Sequence, residues 1–193
     1  MPTCCNALHN PLLEPTSLVV HNRIGIVMAQ QVIAVYPGTF DPMTLGHGDL
    51  VRRSTQLFDR VIVAVAASHH KKSMFSLAER IEMVKSVVKP FPQVSVESFD
   101  GLIRDFVVQR GAKVMIRGVR AVTDFDYEVQ LAGLNRSLMP DVETVFLTPR
   151  ERYQFISSTY VREIATLGGE VDQFVEPLVQ QRLLEKLRSL RPA

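Results

Sequence analysis

Two apolar periods alternate along the chain from Val32 onward. Residues 32–36, 60–66 and 113–117 are short, densely apolar runs, residues 94–99 alternate, and 142–148 completes the set. Runs of this length bounded by turn signals predict buried strands. The first is closed by Pro37-Gly38, which predicts a turn. Between the runs the spacing becomes helical. Over 49–58, Leu50, Val51, Ser54, Leu57 and Phe58 share one face. Ser76-Leu77-Ala78-Glu79 is a capping box that opens a helix with Leu77, Ile81, Val84 and Val88 inward. Residues 102–109 predict a helix stopped by Gly111, and 125–138 a longer one ended by Pro140. Two more begin near Ser158 and at Pro177.

Strand and helix thus take turns, which predicts β-α-β units and an α/β fold. We expect a Rossmann-like, doubly wound, five-stranded parallel sheet with helices on both faces and a C-terminal helical segment. Such sheets bind ligands beyond the carboxyl ends of their strands, so the residues just after each strand are the ones to inspect. Residues 1–31 read differently, with three prolines, one basic residue (Arg23) and no sustained period. They are expected to form a disordered extension, or an upstream over-read of a start at Met28, before a single domain over 32–193. They lack the pattern of a secretory signal.

Composition narrows the partners. The 193 residues are 46% hydrophobic and 22% charged, enough for one domain with a real core. The longest unbroken apolar run, Val61 to Ala67, has seven residues, against about 20 for a membrane-spanning helix. No membrane partner is expected. The balance of 22 Lys+Arg against 20 Asp+Glu is too even for a dedicated nucleic-acid binder. Both cysteines, Cys4 and Cys5, lie in the first five residues, leaving the body without a disulfide framework or a Cys-x-x-Cys metal site. A reducing, cytoplasmic setting fits this.

The strand ends share a chemistry. After the first comes Pro37-Gly38-Thr39-Phe40-Asp41-Pro42-Met43-Thr44-Leu45-Gly46-His47, a stiff loop whose backbone can approach a ligand closely. His47 falls in the first turn of the next helix, where free N–H groups favour an anion. The second strand leads to Ser68-His69-His70-Lys71-Lys72. The lysines are either solvated surface or a cation at an anionic substrate, and a metal site on the histidines lacks a third ligand. The fourth leads to Arg117-Gly118-Val119-Arg120, whose guanidinium forks suit phosphate or, equally, the acids of Asp124-Phe125-Asp126-Tyr127-Glu128. After the fifth, Ser157-Ser158-Thr159 is either a plain N-cap or a second anion site with Arg162 one turn on. Four phosphate-friendly strand ends are hard to ascribe to chance. No Walker loop, G-x-G-x-x-G or G-x-S-x-G string occurs, which argues against a P-loop triphosphatase, a dinucleotide oxidoreductase and a serine hydrolase.

Thr44-Leu45-Gly46-His47, taken with Ile156-Ser157-Ser158-Thr159-Tyr160-Val161-Arg162, resembles the paired motifs of the nucleotidyltransferase superfamily. The strings Y-P-G-T-F-D-P at 36–42, I-R-G-V-R at 116–120 and D-F-D-Y-E at 124–128, with Gln130, Asn135 and Arg136, narrow it. They are similar to bacterial phosphopantetheine adenylyltransferases from about Val32 to Leu187. The resemblance implies reversible transfer of AMP from ATP to 4′-phosphopantetheine, giving dephospho-coenzyme A and pyrophosphate, the penultimate step of coenzyme A biosynthesis. It implies catalytic roles for His47, Lys71 and Arg117, and acceptor contacts from Thr39, Lys71, Ile103 and Arg117. It places Thr39, Phe40, His47, Gly118, Val119, Arg120, Glu128 and the run Tyr153, Gln154, Phe155, Ile156, Ser157, Ser158, Thr159 on ATP. Mg²⁺ is expected on the ATP phosphates, with no metal site on the protein. A cytoplasmic homohexamer, a dimer of trimers inhibited by coenzyme A, is implied by resemblance alone. His69-His70 departs from the Pro-containing pair of many relatives. Two alternatives stay open: another adenylyl- or cytidylyltransferase of the superfamily, and a non-enzymatic adenine-nucleotide sensor.

Overall fold

The computed structural model describes residues 31–67 and 73–190. The expected extension, Gln31 apart, and the Lys71 loop therefore lie outside the described residues. Five strands, β1 Ile33–Gly38, β2 Arg60–Ala66, β3 Val94–Phe99, β4 Val114–Gly118 and β5 Glu143–Leu147, form one sheet in the order β3-β2-β1-β4-β5. Every pairing is parallel. Between and after them run α1 Leu45–Ser54, α2 Leu77–Val88, α3 Ile103–Gln109, α4 Val122–Leu138, α5 Ser158–Thr166 and α6 Pro177–Leu190. The expected doubly wound α/β sheet is the one observed.

Alternate residues of the strands point to opposite faces, and both faces are covered. Ala34, Val61, Val63, Val65 and Ile116 pack with Leu50 and Val51 of α1 and Val84 and Val88 of α2. Val35, Ile62, Ala64 and Met115 pack with Phe106 and Val107 of α3 on the other side. A strand buried on both faces must be apolar throughout, which is why β2 reads R-V-I-V-A-V-A. Each buried branched side chain there contributes roughly 1.5–3 kcal/mol. A third cluster, from Phe75 and Met83 to Val161, Val179 and Leu183, seats α5 and α6 against α2.

Several boundaries differ from the sequence pattern: α4 begins at Val122 rather than at 125, β4 and β5 shift by a residue, and two further differences bear on the site. Pro37 and Gly38 belong to β1 rather than to a turn: Pro37 pairs opposite Ala64 of β2 but follows the last pair with β4, Val35 with Met115. Its missing N–H falls where that ladder has ended. Helix α1 starts four residues earlier than the 49–58 pattern indicates and stops at Ser54, leaving Leu57 59% exposed. The cause is its cap. Thr44 and His47 form a reciprocal capping box in which histidine stands where Glu or Gln is usual. The Ser76–Glu79 box, by contrast, forms as expected.

Candidate active site

With β2 and β4 flanking β1, the connections leave the sheet in opposite directions at the carboxyl ends of β1 and β4. That is the switch point at which such sheets bind ligands. A cleft of about 660 Å³ opens there. Thr39, His47, Ile103, Arg117, Gly118, Arg120, Glu128, Ile156, Ser157, Ser158 and Thr159 all line it. Tyr36, Thr44, Asp124 and Asn135, which the quoted motifs contain, do so as well.

The loop after β1 is built around one ring. Phe40 has a positive φ of 49°, unusual for a bulky residue, and its side chain is buried. The ring stands edge-on to Tyr36 at 5.5 Å and to His47 at 5.3 Å. A Cβ on Gly38 would sit 2.7 Å from its Cζ, so glycine is what lets β1 pass this ring. Phe40 thus props the imidazole from below rather than lining the cleft.

His47 is the third residue of α1, and its own backbone N–H donates to Thr44 Oγ1 at 3.4 Å. The Thr44 backbone N–H donates to Nδ1 at 3.1 Å, and the Thr44 hydroxyl lies 2.8 Å from the same nitrogen. A nitrogen that accepts from a backbone N–H carries no proton, so the neutral ring bears its hydrogen on Nε2. Burial, reinforced by the charge of Arg120, pushes the pKa down from 6.5 to about 4. The cleft is therefore presented with a neutral, fixed hydrogen-bond donor.

Behind this loop stands a brace that the sequence analysis missed. Arg80 of α2 is buried and donates from Nη1 to the carbonyls of Thr39 and Ala66, each at 2.8 Å, and from Nε to that of Phe75 at 3.2 Å. One guanidinium thereby ties the ends of β1 and β2 to the start of α2. Asp41, also buried, accepts from the backbone N–H groups of Met74 and Phe75, both at 2.9 Å. Its Oδ2 pairs with Arg162 at 3.5 Å. The signal was present: Arg80 occupies an inward position beside Leu77, Ile81 and Val84, where a lone charge needs buried partners.

At the end of β4, both arginines are gripped by α4. Arg117 donates from Nε and Nη2 to the two oxygens of Glu128, at 2.6 and 2.7 Å. Arg120 pairs with Asp124 at 3.2 Å and reaches the Ile156 carbonyl at 3.1 Å. The salt-bridge reading of these residues is thus realised within the cleft itself. The Tyr36 hydroxyl belongs to the same group: burial pushes its pKa well above the phenol range, with Arg117 and Arg120 pulling it back.

The hydroxyls after β5 are partly committed. Ser157 caps α5 by accepting from the Tyr160 N–H at 3.1 Å, and Ser158 donates to the Pro42 carbonyl at 2.8 Å. Arg162 donates to the Asp41 carbonyl and, at 3.4 Å, to Thr159 Oγ1, so it braces this loop against the β1 loop. Three of the residues expected on ATP point elsewhere. Tyr153 packs under Arg152, Gln154 lines a shallow basic depression with Arg52, Arg53 and Arg150, and Phe155 is exposed beside Phe174. Val119 is buried behind the cleft wall. Lys71 lies outside the described residues. Among those described, no group of three His, Cys, Asp or Glu side chains could hold a metal ion.

The class of protein follows from sheet, cleft and sequence together. Residues 35–164 match the cytidylyltransferase-like family, which makes this chain a nucleotidyltransferase. Solved structures agree on the fold: an NMN adenylyltransferase/ADP-ribose pyrophosphatase from Francisella tularensis aligns at TM-score 0.65 and 16% identity, over 83% of this chain and 51% of that one. A nicotinic acid mononucleotide adenylyltransferase from Plasmodium falciparum aligns at TM-score 0.60 and 14% identity, over 83% and 96%. At such identities only the fold is shared ground. Relatives by sequence go further. Phosphopantetheine adenylyltransferases from an Acidovorax species and from Aromatoleum aromaticum are 67% and 61% identical, over 81% and 80% of this chain and 94% and 95% of theirs. The chain belongs to the phosphopantetheine adenylyltransferase family.

Proposed function

We propose that the protein transfers the AMP moiety of ATP to 4′-phosphopantetheine, giving dephospho-coenzyme A and pyrophosphate, as the name of its relatives states. The observation that carries this is the 67% identity to such a relative over 94% of its length. The cleft supports it: among the described residues it offers the neutral donor of His47 and two arginines, and the acids that line it are each paired with an arginine.

The chemistry suits those residues. The acceptor is a phosphate monoester with a second pKa of about 6, hence largely dianionic at pH 7. Its oxygen attacks the α-phosphorus while the bond to the β-phosphate oxygen breaks and pyrophosphate departs. An already charged nucleophile needs no general base. What remains is to hold two anions in line and stabilise charge growing on the α-phosphoryl oxygens. The Nε2–H of His47 is the donor for those oxygens. Arg117 and Lys71 orient the nucleophile, Thr39 and Ile103 line the acceptor side, and Ser158, Thr159 and the N-terminus of α5 receive the leaving group. Mg²⁺ enters with the ATP phosphates: the acids that line the cleft, Asp124 and Glu128, are each paired with an arginine.

Assembly is part of the same reading. On α4 only Asn135 is buried, while Val122, Phe125, Val129, Leu134 and Leu138 are exposed. Apolar residues left open in this way are what self-association covers. Six copies, as a dimer of trimers in the cytoplasm, is the arrangement we propose. Among the described residues no helix is long and apolar enough to cross a membrane. The function is tested by following pyrophosphate release from MgATP and 4′-phosphopantetheine. Turnover supports the reading, and its absence with folded protein that binds ATP refutes it.

A further inference from the structure

Tyr36 carries a hydroxyl that the fold buries and leaves without a protein partner. The residue is the fourth of β1, packs in the core with Phe40 and Leu50, and is only 5% exposed. Its ring stands edge-on to Phe40 and fills space that a phenylalanine would fill as well. The hydroxyl adds nothing to that packing. Among the described residues no group forms a hydrogen bond with it, although a buried phenol O–H normally finds a partner and costs stability without one. The residue lines the cleft, so the missing partner is one that the cleft can supply.

The hydroxyl sits where the sheet opens. β1 and β4 pair at Ala34 with Val114 and at Val35 with Met115, and Tyr36 is the first residue of β1 past that ladder. Its oxygen reaches across the gap to the last residue of β4, lying 3.6 Å from where a Cβ on Gly118 would stand. The charges of Arg117 and Arg120 act on it there, yet burial keeps the phenol protonated at neutral pH. Two cations draw the oxygen end of the O–H dipole toward themselves and turn the hydrogen away. What the site lacks is an oxygen acceptor for that hydrogen.

We propose that the Tyr36 hydroxyl donates a hydrogen bond to the adenosine monophosphate half of ATP, from the gap between β1 and β4. The proposal rests on the reading of the cleft as an ATP site and adds a contact that the paired arginines do not make. The leaving group is not its partner: Ser158, Thr159 and the start of α5, which receive pyrophosphate in that reading, follow β5, whereas the hydroxyl adjoins the end of β4. The acceptor is not its partner either, since Ile103 on the acceptor side packs with the opposite face of the sheet.

Tyr36→Phe removes the hydroxyl and keeps the ring. Titration calorimetry on the full chain with ATP, AMP and 4′-phosphopantetheine reads the result. The variant should bind ATP and AMP each about 3- to 10-fold more weakly, the worth of one neutral hydrogen bond. Its affinity for phosphopantetheine should stay within about 2-fold. Without ligand its denaturant midpoint should be unchanged or higher, because an unpaired O–H has gone. Unchanged affinity for both nucleotides overturns the proposal, as does a loss confined to ATP or to phosphopantetheine. A lowered midpoint, or a variant that fails to fold, marks the hydroxyl as structural and overturns it too. Wild-type protein that binds neither ATP nor AMP sinks the nucleotide reading itself. A wild type that binds both, beside an unimpaired Phe variant, sinks only the role given to Tyr36.

Discussion

The Thr44 backbone N–H donates to His47 Nδ1 across 3.1 Å, and that one bond decides which nitrogen of the ring faces substrate. The same pair that starts α1 therefore prepares the donor that the proposed transfer would use.

Replacing His47 by alanine should leave the protein folded, since Thr44 still caps the helix, and should slow kcat by about 10²–10⁴, the range for losing a preorganised charge-stabilising donor. ATP binding, measured by titration calorimetry, should weaken far less. A variant with near-normal kcat would remove His47 from this role.

Acid should act on His47 in a defined window. Its folded pKa of about 4 lies below the ordinary 6.5, so the native state binds fewer protons than the unfolded state between those values. The stability this group contributes is fully present above pH 6.5 and is lost as pH falls toward 4. Histidine NMR should show a resonance that does not titrate near 6.5, and Thr44→Val, which removes the hydroxyl, should shift it. Any fall in turnover near pH 6 then belongs to protonation of the acceptor phosphate.

Arg80→Ala should destabilise the fold by about 3 kcal/mol, because three buried carbonyls lose a charged donor and Asp41 loses a nearby cation. Arg80→Lys should recover little, since one ammonium cannot serve carbonyls on three separate segments. Denaturant unfolding gives the stability. Activity measured well below the unfolding transition should also drop, as Thr39 moves with its carbonyl.

Gly38→Ala sets a Cβ 2.7 Å from the Phe40 ring, which is itself wedged against Tyr36 and His47. The ring has to shift, and the imidazole with it. A loss in kcat greater than the loss in ATP affinity is expected. Unchanged kcat would show that the ring does not support His47.

The sheet was legible because β2, buried on both faces, needs an unbroken apolar run and β3, half-buried, alternates, and both were bounded to the residue from sequence. Helix α1 was misplaced because its apolar spacing continues to Phe58 while its true cap uses histidine in an unusual place. The cleft residues His47, Arg117, Arg120 and Ser157–Thr159 were found because they lie at the carboxyl ends of strands or in the connections that leave them. Arg80 was given no role despite its inward place on α2, because its partners are carbonyls on other segments that sequence does not mark, and Asp41 was read only as part of the Y-P-G-T-F-D-P string. Spacing alone left Arg117 with a salt-bridge and a phosphate reading, and the distances to Glu128 realise the first.

The central claim is the acceptor. A phosphopantetheine arm is long, flexible and amide-rich, and the cleft wall of Phe99, Leu102, Ile103 and Met115 with the buried amide of Asn135 offers it apolar surface and a polar contact. The measurement is one coupled pyrophosphate assay with MgATP across 4′-phosphopantetheine, nicotinamide mononucleotide, nicotinate mononucleotide and glycerol 3-phosphate. Turnover is expected with the first and essentially none with the other three. Turnover on a mononucleotide without turnover on phosphopantetheine would contradict it.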